Sequence, residues 1–448
     1  MSLFGALSIA GQALLSNRIA INSTTKNINN AYTEGYSREE PVFADLPGAG
    51  VSVEELRRVF SSALFKQYIS ANQEKEAYSQ EYSILSQVES VFNDAAGSGF
   101  GDALNAFFSA LHDVALNPDD IAARESFLGA AQTLVGRIRQ SYSSLEEIEN
   151  TYYSQLGDSV GRLNRLLKEL ADVNRSLHLS VGSPTYNQYL DQRDKLIEEI
   201  SSLIETKVTF DEEGRVNLYT AKGFALVLGD RAFSLSVDRS DEGVELRVNG
   251  TDISSSLKGG ALGGILSGLS AVSEWKERLN LFTSTFAQKL NEQHQAGYDL
   301  YGEAGGELFT SDDGRPVDAS NIVLAFTDPK KLAAASSPDN LNADNGNVKE
   351  LIELGEEKFS ELGDMSFGEY YASEIVGALG SRVASVKNLY DNSSLRFDAV
   401  KEKVKELSGV NVDEEMIKLT QFQRAYEAAA RVITVSDELL ETILNMAR

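Results

Sequence analysis

Leu7, Leu14, Ile21 and Ile28 recur at every seventh position near one end of the chain, and Leu3, Ala10, Asn17 and Thr24 fill the alternate positions between them. This spacing gives a helix one apolar stripe and a need for something to cover it. A seam of matching length stands at the other end, on Leu419, Phe422, Tyr426, Ala429, Ile433, Leu440 and Ile443, with Asp413 expected as its N-cap and Glu414 and Glu415 in its first turn. Neither helix is expected to be stable alone in water, because Asn17, Thr24 and Ser436 interrupt the stripes. Arg18 and Lys26 are the only charges in the first thirty residues, so most of the non-seam face of that helix is Ala, Ser, Asn, Gln and Thr. Such a surface suits close packing on several sides. The two ends are therefore expected to pack on each other and on copies from neighbouring subunits, becoming ordered on assembly.

Between the ends, proline occurs only at positions 41, 47, 118, 184, 316, 329 and 338, and the long gaps allow uninterrupted helices. Leu64, Ala71, Tyr78, Leu85 and Phe92 carry a seam that stops at the glycine-rich "NDAAGSGFGD", before a short helix around "ALNAFFSALHDVAL". Asp119 and Asp120 mark the start of a helix predicted to run to about residue 178, with Ile138, Leu145, Tyr152, Leu166 and Val173 at heptad spacing. Unbroken, it would be roughly 90 Å long, although Gly129, Gly136, Gly157 and Gly161 weaken it. "VGSPT" turns the chain into the helix "YNQYLDQRDKLIEEISSLIE". From about residue 206, short alternating apolar runs separated by Glu-Gly, Gly-Asp and Asn-Gly turns predict a small antiparallel sheet or barrel. Helical periodicity returns at "SGLSAVSEWKERLNLF", a looser stretch holds a possible strand "NIVLAF", and helix resumes after Asn347. Leu379, Val383, Val386, Tyr390, Ser393, Phe397, Val400, Val404 and Leu407 then alternate steps of four and three up to "SGVN".

The expected fold is mainly α with inserted β: a long coiled-coil-like helical bundle formed by the N- and C-terminal segments, plus a small antiparallel β-domain mid-chain. Residues 1–40 with 410–448 form the expected terminal helical domain, 41–205 with 258–409 a helical rod domain, and 206–257 the inserted β-domain.

A chain of 448 residues with 67 acidic and 41 basic side chains carries a formal charge of −26, which repels a phosphate backbone and an anionic membrane surface alike. Nucleic acid is not an expected partner. The absence of cysteine excludes disulfides, thiolate metal sites and cysteine nucleophiles. "MSLFGALSIAGQALLSN" lacks a basic start, so no cleaved signal is expected, and no apolar run is long enough to predict membrane insertion.

Chemistry-bearing patterns are sparse. His112, His178 and His294 are isolated from one another, without a paired motif such as HExxH, and read as structural. "KGGALGGILSG" has neither the GK[ST] ending of a phosphate loop nor a GxGxxG, and reads as a tight re-entry from sheet to helix. "SDDGRPVD" and "NADNGN" miss the spacing of an EF-hand and read as solvated turns, and Asp211 with Glu212 is the acidic pair a hydrolase could use. No cofactor, catalytic residue or metal ligand is expected.

"NINNAYTEGYSREE" near the start and "SGVNVDEEMIKLTQFQRAYEAAARVITVSDELLETILNMAR" at the end resemble the paired terminal signatures of the bacterial flagellar axial proteins, the rod and hook family. "YLDQRDKLIEEISSLIETKVTFDEEGRVNLYTAKGFALVLG", "KGGALGGILSG" and "LNLFTSTFAQKLNEQHQAGYDLYG" make the likeness strongest to its hook-associated, hook-filament junction branch, over most of the chain. Glu34 stands where that family commonly has proline, and the chain is short for it, with one recognisable β-domain, as if an outer domain were absent. The resemblance implies a non-enzymatic adaptor exported to the outside of the cell through the flagellar type III apparatus. In it the terminal helices form an inner tube, the helical domain the next shell, and the β-domain faces outward. Its implied partners are the flagellar hook protein, the second hook-filament junction protein, its own copies in a ring layer, and a cytoplasmic export chaperone at the C-terminal helix. The implied assembly interface is Leu7, Leu14, Ile21, Ile28, Leu419, Phe422, Tyr426, Ile433, Leu440 and Ile443. Asn27, Asn30, Gly35 and Tyr36 form the turn of the terminal motif, with Gly35 free to take positive φ. Two alternatives stand beside this: a secreted adhesin or hydrolase acting through the β-domain, and another axial protein, the second junction protein or the hook subunit itself.

Overall fold

The computed structural model describes residues 3–48, 50–93, 99–240 and 243–446. Helix α1 (Leu3–Asn29) leads into an antiparallel hairpin, β1 (Glu39–Leu46) and β2 (Gly50–Arg58), paired from Glu39 with Arg58 to Leu46 with Gly50 and bulged between Val42 and Phe43. The periodicity does not announce this hairpin. Pro41 and the bulge spoil the alternation that would mark it, and both are tolerated because a two-stranded ribbon has free edges.

Four helices follow: α2 (Ser62–Val91), α3 (Phe100–Leu116), α4 (Ile121–Ser180) and α5 (Tyr186–Leu203). Asp120 caps α4 as expected, its carboxylate accepting from the Ala122 N–H at 2.8 Å. The four glycines of α4 do not interrupt its 60 residues, because its other face is covered along its length: Ile138, Leu145, Tyr152, Leu166 and Val173 are all buried. The inserted region is two sheets. β3 (Lys207–Phe210), β4 (Val216–Tyr219), β5 (Ala225–Leu228) and β6 (Arg231–Ala232) form a meander, and β7 (Leu235–Ser240), β8 (Gly243–Val248) and β9 (Thr251–Asp252) a second one. Glu242, of the second predicted Glu-Gly turn, lies outside the described residues. Two asparagines of α4 dock these sheets by imitating a strand. Asn164 exchanges both hydrogen bonds with the backbone of Leu235, at 2.9 and 2.8 Å. Asn174 does the same with Val216, at 2.8 and 2.9 Å, and also donates to the Gly229 carbonyl.

Helix α6 (Gly260–Ala296) begins at Gly260 rather than at Ser267. "KGGALGG" is thus its first turns as well as the re-entry from the sheet. Gly260 has φ +73°, and a side chain there would strike the backbone of Leu203 and Ile204. Gly264 and Gly268 lie so close to α2 that a Cβ on either would collide with the Ala77 carbonyl or the Ile84 side chain. After the short pair β10 (Phe309–Ser311) and β11 (Ile322–Leu324), the latter inside "NIVLAF", come α7 (Gly346–Glu353), α8 (Phe367–Tyr370), a π-helical turn over Tyr371–Gly377, and α9 (Ala378–Ser408). Helix α9 runs antiparallel to α2, joined by Arg382 to Glu81 and by the rings of Tyr390 on Tyr82 and Phe397 on Tyr68. The core between α3, α4, α6 and α8 is aromatic, with ring centroids 5.2 Å apart for Phe107 and Phe127 and 5.1 Å for Phe286 and Phe367.

The chain closes with α10 (Val412–Met446), packed along α1. Its cap is Asn411 and not Asp413: the Asn411 Oδ1 accepts from the N–H groups of Asp413 and Glu414 at 3.1 and 3.4 Å. That leaves Asp413 and Glu414 as first-turn acids, favourably placed on the helix dipole.

Candidate assembly joint at the chain termini

Asn27, in the last turn of α1, is buried and uses the full capacity of its amide. Its Nδ2 donates to the Glu39 carbonyl at 2.9 Å and to the Glu415 carboxylate at 2.8 Å. Its Oδ1 accepts from the Tyr36 hydroxyl at 2.7 Å and from the Glu39 N–H at 3.0 Å. One side chain therefore ties together α1, the loop after it, the first residue of β1 and the first turn of α10. Burial, reinforced by the charges of Glu39, Asp191 and Glu415, raises the Tyr36 pKa and keeps its hydroxyl a donor.

The loop reaches this point because the chain reverses after α1. Asn30 Nδ2 donates to the Lys26 carbonyl at 2.9 Å, closing the helix end, and Gly35 takes φ +80°. Around the amide lies a ring of charge. Lys26 meets Glu39 at 2.6 Å, Lys418 meets Glu415 at 3.1 Å and Glu40 at 3.4 Å, and Arg38 lies 3.7 Å from Glu414. The Arg38 N–H also donates to the Ser408 carbonyl at 2.8 Å, which stitches the loop to the end of α9.

A second buried cluster holds the same loop from the body side. Arg58, at the end of β2, donates to Ser37 Oγ at 3.1 Å and pairs with Asp194 at 2.5 Å. Its Nε stands 3.1 Å from Asp191 at an angle outside a hydrogen bond, so that contact is coulombic. Arg193 clasps Asp194 at 2.6 and 2.8 Å, reaches the Gly214 carbonyl between β3 and β4, and covers the Phe210 ring at 4.5 Å. Burial pushes the Asp191 carboxyl up to about 7 against the pull of Arg58. The "LDQRD" segment is thus the site where α5, the hairpin and the first sheet are locked together.

The seam residues fall into two groups. On α1 the buried face is Ala10, Ser16, Ala20, Ser23, Thr24 and Asn27, with Ser16 and Ser23 hydrogen-bonded to the hairpin carbonyls of Val51 and Glu39. Leu7, Leu14, Ile21 and Ile28 are half-buried beside it. On α10, Glu415, Ala429 and Ser436 are buried, Leu419, Phe422, Ile433 and Leu440 half-buried, and Tyr426 and Ile443 exposed. Phe422 meets Phe43 of the hairpin, ring centroids 6.2 Å apart. Sequence reading missed Glu39 and Glu415 as members of the joint. Glu415 had a usable signal: it lies seven residues before Phe422 and fourteen before Ala429, a charged residue on a seam position.

The other candidates sit apart from this joint. His294 is buried, its Nδ1 2.7 Å from the Gly306 carbonyl and its Nε2 accepting from the Ala333 N–H at 3.0 Å, an arrangement that holds it neutral; burial lowers its pKa. His178 contacts Glu213 at the surface. Asp211 accepts from the N–H groups of Glu213 and Arg215 and from the Arg215 side chain, which closes its own turn. Among the described residues no cluster of three His, Cys, Asp or Glu could hold a metal ion, and no helix is long and apolar enough to cross a membrane.

Fold and joint define a class: a mainly helical structural protein with an inserted antiparallel sheet, whose two chain ends close on each other as one helical pair. Residues 85–309, just over half of the chain, match the helical domain of flagellar hook-associated protein FlgK, and residues 404–446 match the C-terminal segment of the flagellar basal body rod proteins FlgEFG. Flagellar hook-associated protein 1 of Bacillus subtilis (strain 168) is 27% identical, covering 99% of this chain and 98% of that protein. Its counterpart in Escherichia coli (strain K12) is 24% identical over 95% and 97%. The solved flagellar hook junction protein FlgK from Burkholderia pseudomallei shares the fold, with a TM-score of 0.68 and 16% identity over 77% of this chain and all of that one. The chain belongs to the flagellar hook-associated protein FlgK family and is a structural component of the flagellum.

Proposed function

We propose that the chain forms a layer between hook and filament, outside the cell, adapting the hook for the second junction protein. The observation that carries this is a second apolar stripe on α10. Ile417, Val432, Val435, Leu439 and Met446 are exposed, and at about 100° per residue all five fall within one sixth of the helix circumference, on a different face from the seam that meets α1. Four of them stand between Val432 and Met446, with Ile417 fifteen residues earlier beyond Gln421 and Ala428, and such apolar surface without cover in the single chain is suited to another helix. Neighbouring copies in a ring, and hook and filament-side subunits above and below, would supply it. The same amphipathic helix fits the groove of an export chaperone before assembly.

The three-part division is proposed as expected, 206–257 being the inserted sheet and 410 the C-terminal boundary, with the β1–β2 hairpin as the piece that links the terminal pair to the body. Leu7, Leu14, Ile21 and Ile28 are proposed to complete the interface, since their half-buried positions leave apolar surface for a neighbour. Removal of residues 1–30 or 412–448 should abolish incorporation into flagella and capture by purified hook subunits. Retention of both activities by either truncated chain would overturn the reading. Capture by filament-side subunits alone would reassign the chain to the second junction position.

A further inference from the structure

We infer that Asn27 and Glu415 form a register pin: their buried hydrogen bond selects one alignment of α1 against α10 among those the apolar seams would tolerate. The inference rests on the junction role, in which the terminal pair is the surface presented to neighbours, and adds what sets the shape of that surface.

Heptad seams by themselves specify register poorly. Sliding α10 by one heptad along α1 would carry Phe422 to the level of Ala429, and Ala429 to the level of Ser436, at modest cost in burial. A buried polar pair changes this, because other alignments break its amide–carboxylate hydrogen bond without supplying another amide. Both members are 1% exposed. Among the described residues Glu415 has two side-chain donors, Asn27 Nδ2 at 2.8 Å and Lys418 Nζ at 3.1 Å, and Lys418 travels with it on the same helix. Slippage by a turn toward the start of α1 would therefore exchange the amide donor for the hydroxyls of Ser23 and Thr24, the first of which already bonds the Glu39 carbonyl. Asn27 cannot follow a slip either, since its three remaining bonds fix it to Tyr36 and to both backbone groups of Glu39. The pin is thus anchored on the hairpin side, and on the α10 side it is the fully buried member of a set of contacts that includes Lys418 with Glu40 and Phe422 with Phe43. Asn27 and Glu415 act here as positioning residues.

The absence of native cysteine allows a direct test. Spin labels on cysteines at the exposed positions Asn22 and Glu427 report the α1–α10 distance in the full-length chain by pulsed electron resonance. The wild-type background should give one narrow distance. Glu415→Leu should split it into populations about 5 to 10 Å apart, one helical turn or one heptad, while Glu415→Gln, which keeps an acceptor for Asn27, should restore the single peak. Asn27→Asp sets two carboxylates against each other and should split the distance. Combining it with Glu415→Gln supplies a new donor and should bring the single peak back. A broad wild-type distribution, a single peak for Glu415→Leu, or failure of the double variant to recover would overturn the pin. Hook capture by the unlabelled wild-type chain is scored separately. A chain that shows the pin without capturing hook subunits defeats the junction reading alone, and one that captures them without the distance changes defeats the pin alone.

Discussion

Asn27 and Asn174 lie far apart in the chain and do the same kind of work: each presents an amide to the two polar groups of a single residue in a strand. Asn174 is fully buried, and its bonds to Val216 and Gly229 are what hold the first sheet on α4. Asn174→Ala leaves a buried N–H and two carbonyls unpaired, so a loss of about 2–4 kcal/mol is expected in urea unfolding; Asn174→Asp, which keeps one acceptor and adds a buried charge, should be no better. Two titrating groups run in opposite directions with pH. His294 has a folded pKa below its unfolded value, so the unfolded chain binds the extra proton and stability falls as pH drops below about 6.5. Asp191 is raised to about 7, so the folded chain binds the extra proton and stability rises as pH falls from about 7 toward 4. The two partly cancel. Asp191→Asn should therefore steepen the loss of stability between pH 7 and pH 5, read from urea midpoints; an unchanged slope would show that Asp191 stays ionised in the folded chain.

Among the elements, the helices were legible because heptad spacing survives tertiary packing: the stripe of α4 is buried, and that of α9 is buried or half-buried from Leu379 to Val404, with Leu407 at its end exposed. The β1–β2 hairpin was not, because its alternation is broken by Pro41 and a bulge. The start of α6 was misplaced for a different reason. Glycine is a poor helix former, so "KGGALGG" reads as a loop, whereas close approach to α2 requires residues without a Cβ, and packing overrides propensity there. This can be measured. Gly264→Ala should raise intrinsic helix propensity yet destabilise the chain by about 1–3 kcal/mol through collision with the Ala77 carbonyl, whereas Gly129→Ala, with open space around it on α4, should be neutral or stabilising. Of the joint, the turn residues were visible as a motif, but its acidic half was not: Glu415 meets Asn27 only once positions 388 residues apart are brought together, and Glu39, twelve residues from Asn27, meets it only after the chain has reversed at Gly35.

At the scale of the whole molecule, apolar packing holds the body while buried polar groups hold the terminal pair to it, and the uncovered stripe on α10 lies outside both. Val435→Asp should accordingly leave the thermal unfolding of the isolated chain within about 1–2 °C, because it alters only exposed surface, and should prevent incorporation into flagella. A large drop in melting temperature would mean that Val435 is covered within the single chain. The pairing of α1 with α10 also has a consequence in time. Helix α1 is made well before α10, which completes it, and the joint needs Glu415, 388 residues after Asn27. Whether a chain emerges from a ribosome or threads head-first through a narrow conduit, its body can begin to fold while its first helix still lacks a mate. On the proposed junction role, readiness to assemble is thereby delayed until α10 arrives, and a chain cut short before the joint carries no finished surface with which to block the end of a growing structure.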